Sequence, residues 1–138
     1  MGKYGNAAVM AAKLYQDGLA TTPNNAWELA IVNFFPFSKS AQAKGCPRGA
    51  FLGLCENGNI TGIPEGIYCR AEKNKKYALK ALDILRKEPH LSQNENKLWC
   101  RVMDGERKIQ NHQMDVVISI CNAGLIQSHQ GMAKFQPS

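Results

Sequence analysis

No stretch of this sequence stays apolar for the roughly 18 residues that a membrane-spanning helix requires. The most apolar segment, 114–126, is short and carries Asp115 and Asn122. The first residues, Met-Gly-Lys-Tyr-Gly-Asn, have no apolar core of a secretory leader, and Ala7 stands where N-myristoylation wants Ser or Thr. Cytoplasm is therefore the expected location, with no membrane partner. Cysteine pairs are missing too. The five cysteines (Cys46, Cys55, Cys69, Cys100, Cys121) are odd in number, and no two are spaced as Cys-x-x-Cys. That argues against a disulfide framework and a structural zinc site, and for reduced, partly buried thiols. The P-loop pattern is absent, as are paired carboxylates, metal-ligand spacings and a serine nucleophile motif. The expectation is no cofactor, no metal and no assignable catalytic residue, which leaves enzymatic activity undecided and leaning towards none.

What is present fits one globular domain. The 138 residues are 44% apolar and 20% charged, with a net charge of +6. The charge is concentrated: Arg70, Lys73, Lys75, Lys76, Lys80, Arg86 and Lys87 stand against Glu72 and Asp83, so 70–87 alone carries +5. A focused positive field selects anions, either small molecules or nucleic acid.

Periodicity predicts a chain of helices. The first covers 5–16, with Ala7, Met10, Ala11, Leu14 and Tyr15 inward and Gly18 as its stop. The second starts at a Thr22 cap with Pro23 in its first turn, buries Trp27, Ile31, Phe34 and Phe35, and halts at Pro36. A short helix at 38–44 and another from Pro47 to the Asn57-Gly58 stop follow. Residues 59–63 and 67–69 flank Pro64-Glu65-Gly66 and predict a small β-hairpin near 59–69. The clearest amphipathic helix is 74–87, with Ala78, Ala81, Leu82 and Leu85 opposite Lys76, Lys80 and Lys87. Ser92-Gln-Asn-Glu95 reads as a capping box for a helix burying Leu98, Trp99, Val102 and Met103. The last helix, from about Asn111, its expected N-cap, to the Asn122-Ala-Gly124 stop, is apolar almost all round. The predicted fold is all-α: six to seven helices around that central C-terminal apolar helix, in one domain over 1–126, with a loose tail at 127–138.

Two segments also resemble a known family. Cys46-Pro-Arg-Gly-Ala-Phe-Leu-Gly-Leu-Cys-Glu-Asn-Gly58, continuing through Gly62-Ile-Pro64 and Gly66-Ile-Tyr68 to Asn74-Lys-Lys-Tyr-Ala78, is similar to its first signature, and Asn111-His-Gln-Met-Asp-Val-Val117 to its second. The family comprises small proteins of unknown function from bacteria and their phages. The resemblance spans roughly 4–126 and implies a shared architecture with a polar site near these blocks. It names no reaction.

The residues themselves suggest where an anion would sit. Glycines recur from Gly45 to Gly66, and Pro47-Arg48-Gly49 lies in a first helical turn, where unpaired N–H groups favour negative charge. The expected ligand-binding set is Arg48, Arg70, Lys73 and Lys75 for phosphates, with Tyr68, Asn111 and His112 for base or sugar, around a glycine-walled cavity. The expected partner is an anionic, nucleotide-like small molecule. With the family's reach into phages, one version is an anti-defence protein that sequesters a cyclic nucleotide or ADP-ribose-type immune signal. The alternative is a winged-helix-like DNA-binding protein, in which the hairpin is the wing and Lys76, Lys80 and Lys87 meet phosphates. Of its recognition helix, only Arg48 suits base edges. Cys46 with His112 as activating base would make a nucleophile only if the two met, and no third group orients them.

Overall fold

The structure, a computed structural model, describes residues 2–127, so most of the expected tail, with His129, lies outside the described residues. The elements run α1 (Lys3–Gln16), α2 (Pro23–Phe34), α3 (Lys39–Gln42), α4 (Gly45–Glu56), α5 (Glu72–Lys87), a 3-10 turn (Pro89–Gln93), α6 (Glu95–Met103) and α7 (Gln113–Asn122). The fold is all-helical among the described residues, and no helix is long and apolar enough to cross a membrane.

Short-range chemistry explains most helix ends. The Thr22 Oγ accepts from Asn25 N–H at 3.0 Å, with Pro23 in the first turn. Ser38 caps α3 in the same way, at 3.2 Å from Ala41 N. Gly18 leaves α1 with φ +75°, a conformation in which a Cβ is strained. α1 buries a narrow stripe of Ala7, Ala8, Ala11 and Ala12, small enough to let α2 and α7 approach it closely. Met10 and Leu14, expected inside, are only half-buried.

α7 is buried at every residue from Gln113 to Cys121 and packs against α1, α4, α5, α6 and the 3-10 turn. Three of these buried residues are polar: Gln113, Asp115 and Ser119. Asp115 reaches the start of α1, where its two oxygens accept from Gly2 N (3.0 Å) and Gly5 N (2.7 Å), and it also accepts from Ser119 Oγ at 3.3 Å. Gly2 has no side chain to cap α1 itself, so the carboxylate satisfies donors that the helix cannot.

Three expectations are corrected. The 59–69 hairpin does not form. Ile60 makes an isolated antiparallel bridge with Ile126 instead, flanked by Thr61 N to Leu125 O (2.9 Å) and Gln127 N to Asn59 O (2.7 Å). The downstream half cannot pair back: Pro64 lacks an N–H, Gly62 takes φ +82°, and Tyr68 N donates to the Glu56 carboxylate at 3.1 Å. The capping oxygen of α6 belongs to Asn94, which accepts from Lys97 N at 3.0 Å, because Pro89 opens a 3-10 turn that takes in Ser92. The start of α7 is not capped by Asn111. His112 holds that position at φ +69°, with no bond from its side chain to the helix.

Candidate functional site

The packing of α4 on α5 sets the site. A Cβ on Gly49 would stand 2.9 Å from Asn74 Cβ, and one on Gly53 2.8 Å from Lys75 Cα, so the two backbones touch through glycine. At the N-terminal end of this contact lies a cavity of about 240 Å³. Its wall takes Cys46 from α4, Lys73, Asn74 and Tyr77 from α5, and Trp99 from α6. Lys108, Ile109 and Asn111 come from the α6–α7 loop, and Gln113 opens α7.

Three helices thus present their first turns to one space. Cys46 is the second residue of α4, Lys73 and Asn74 the second and third of α5, and Gln113 the first of α7, and none of the three N-cap residues caps its helix with a side chain. Each first turn brings the positive end of a helix dipole to the cavity wall, although Met114 N already donates to Gln110 Oε1 and Glu72 N to Arg70 O, both at 3.0 Å. Lys73 and Lys108 add two cations, and no carboxylate lines the wall. The two lysines and the helix dipoles give this wall a positive character.

Hydrogen bonds fix the remaining groups. Asn111 N donates to Gln113 Oε1 at 2.6 Å, which orients the buried Gln113 amide so that its Nε2 donates to Asn74 Oδ1 at 3.2 Å. The Asn74 amide is left with its Nδ2 as the donor end. Trp99 Nε1 donates to Lys108 O at 2.8 Å, and Lys108 Nζ donates to Tyr77 Oη at 3.0 Å. Tyr77 and Trp99 meet edge to face at 5.3 Å. The bond to Tyr77 raises Lys108 above the usual lysine range, so it remains a cation.

Of the seven expected ligand residues, only Lys73 and Asn111 line this cavity. Lys75 is ion-paired to Glu56 at 2.9 Å. Tyr68 is held at three points: its N–H by Glu56, its hydroxyl by Pro64 O (2.7 Å) and its carbonyl by Asn24 Nδ2 (2.7 Å). The His112 ring rests on Tyr4 at 4.7 Å, and is not part of the wall that holds Cys46. Arg48 is half-buried and Arg70 exposed, both outside the wall. The glycine wall is corrected as well. Gly49 and Gly53 serve the α4–α5 contact, Gly58 and Gly62 make positive-φ turns, and Gly66 lies against the Tyr68 ring.

Lys108, Asn74, Tyr77, Trp99 and Gln113 were not singled out as ligand residues from the sequence. Asn74 and Tyr77 follow Lys73 on one helical face within the 74–78 block, and Gln113 lies in the 111–117 block, so those signals existed. Nothing local marks Lys108. Other features carry less chemistry. A groove of about 380 Å³ between α1 and α2 is walled mainly by Val9, Met10, Leu14 and Phe34. All five cysteines are free thiols, and no group of three or more His, Cys, Asp or Glu among the described residues could hold a metal ion.

Residues 1–127 match a family of unknown function, DUF6979, and the chain belongs to that family. No curated protein and no solved structure matches it.

Proposed function

We propose that the chain is a binding protein for a small anionic molecule, bearing phosphate or carboxylate, seated where the first turns of α4, α5 and α7 meet. The observation that carries this reading is the convergence of three helix N-termini, none capped by the side chain of its own N-cap residue, with Lys73 and Lys108 on one cavity free of carboxylates. Its wall supplies donors and cations, with no carboxylate or imidazole to move a proton, which favours binding over catalysis. The narrower idea of a sink for a cyclic nucleotide or ADP-ribose-type immune signal shares this anionic chemistry and belongs in the same ligand panel.

The winged-helix alternative draws support from the exposed Lys76, Lys80 and Lys87 of α5. Against it, α4 is buried at Pro47 and at every residue from Gly49 to Cys55, which leaves no face for a major groove. Calorimetry with anions separates the two. The double variant Lys73→Ala/Lys108→Ala should weaken binding at least ~10-fold, as expected for losing charge-assisted hydrogen bonds of about 1.5–3 kcal/mol. Lys76→Ala/Lys80→Ala should leave it unchanged. No heat with any anion, together with salt-dependent retention of duplex DNA that Lys76→Ala/Lys80→Ala abolishes, would reverse the order of the two readings.

A further inference from the structure

A second cavity of about 280 Å³ lies beside the first, and the two share Trp99 and Lys108. The remaining wall is different in kind: Met103 and Cys100 from α6, and Gly105 and Glu106 from the loop. Resting on the anion-binding reading above, we infer that the ligand is an anion carrying a flat, donor-bearing group, of the nucleoside monophosphate class, and that it spans both cavities across Trp99.

Size is the first argument. Pockets that enclose a small-molecule ligand usually measure about 300–1,000 Å³. Each cavity alone falls short of that range, and only the pair reaches it.

Charge is the second. The first cavity holds two lysines and no carboxylate, whereas Glu106 places an acceptor-only carboxylate in the second. In the second, Glu106 offsets the charge of the shared Lys108, so a phosphate is held less well there than between the two lysines of the first, while a hydroxyl or amino group finds its acceptor in Glu106. This difference favours one orientation of the ligand, with the anion against the helix N-termini and hydrogen-bond donors towards Glu106.

The third argument is the shared wall. Trp99, a largely buried aromatic, lines both cavities, and the Met103 thioether in the second suits aromatic contact. Lys108 reaches both spaces. Its backbone is held to Trp99 by the 2.8 Å bond from the indole N–H, so a ligand that seats against Trp99 meets the same loop that carries the cation.

Trp99 is also the reporter for the test. The chain has two tryptophans, and the indole N–H of the buried Trp27 has no partner, so Trp27→Phe removes the second fluorophore without breaking a hydrogen bond. The full chain carrying this change is titrated with the four common nucleoside monophosphates, their nucleosides and inorganic phosphate, and calorimetry on the unaltered chain reads the same ranking independently. At least one monophosphate should change Trp99 emission and bind ~10-fold or more tighter than both its nucleoside and inorganic phosphate. The exposed Glu106→Gln should remove much of that advantage and leave phosphate affinity as it was. If inorganic phosphate binds as tightly as every monophosphate, the second cavity plays no part and this inference is overturned, while the anion site stands. If neither phosphate nor any monophosphate binds, the anion reading fails and takes this one with it.

Discussion

The Asp115 carboxylate closes a cap whose two halves are usually local. The N-cap N–H of Gly2 and the third-position N–H of Gly5 are the donors that a capping box satisfies with two side chains near the helix start. Here one carboxylate from α7 serves both. Asp115→Ala should therefore cost about 2–3 kcal/mol in urea denaturation, from charged hydrogen bonds lost at a buried helix end. Gly5→Ala provides a sign test. In an open helix, that change gains up to ~1 kcal/mol. Here the new Cβ would stand 2.7 Å from the Asp115 backbone oxygen and press on Ser119 Oγ, so stability should fall instead. A Gly5→Ala chain as stable as the original would mean that α1 and α7 are not seated this closely.

Between elements, the glycines of α4 are the sensitive points. Gly53→Ala drives a Cβ to 2.8 Å from Lys75 Cα, an atom that can retreat only if α5 moves, and should cost about 1–3 kcal/mol. Gly45→Ala meets nothing within 4 Å and should be neutral or slightly stabilising. Chemical denaturation of the pair reads whether helix contact or helix propensity governs, and equal effects would refute the close packing. The same elements show how far sequence carries. The Thr22-Pro23 start of α2 was legible because cap and helix are adjacent, and the 74–87 helix because its lysines and leucines alternate with the helical period. The cap of α6 was misplaced from Asn94 to Ser92, since a turn set by Pro89 outranks the capping-box pattern. The hairpin failed for a similar reason: the partner of Ile60 is Ile126, and no local rule reaches that far. At the site, Lys73 was legible from charge and Asn111 from its block. Lys108 was not, because a loop lysine does not announce which helices its loop closes over.

For the molecule as a whole, two glutamates should shape stability in acid with opposite sign. The hydrogen-bonded Lys75 ammonium, with the N–H groups of Tyr68 and Cys69, holds Glu56 below its ordinary value of 4.5. Its contribution is present above the unfolded value and fades as pH falls through the folded one. Burial first, then the nearby Asp115 charge, raises Glu95, whose contribution is present at low pH and lost as pH rises through its folded value. Melting temperatures against pH should show Glu56→Gln below the original chain at about pH 7, with the gap closing below about pH 4. Glu95→Gln should lie at or above the original chain near neutrality. A marked loss of stability in Glu95→Gln at neutral pH would show that its carboxylate is a favoured partner and not a strained one.

The bonds from Gly2 and Gly5 to Asp115 also bear on how the chain is made. Translation delivers α1 first and Asp115 more than a hundred residues later, when α7 is leaving the ribosome. Until then α1 has open donors at its start, and of the two helices that pack on its alanine face only α2 has been made. The cap of α1 is closed by α7, so this part of the fold waits for a segment made more than a hundred residues later.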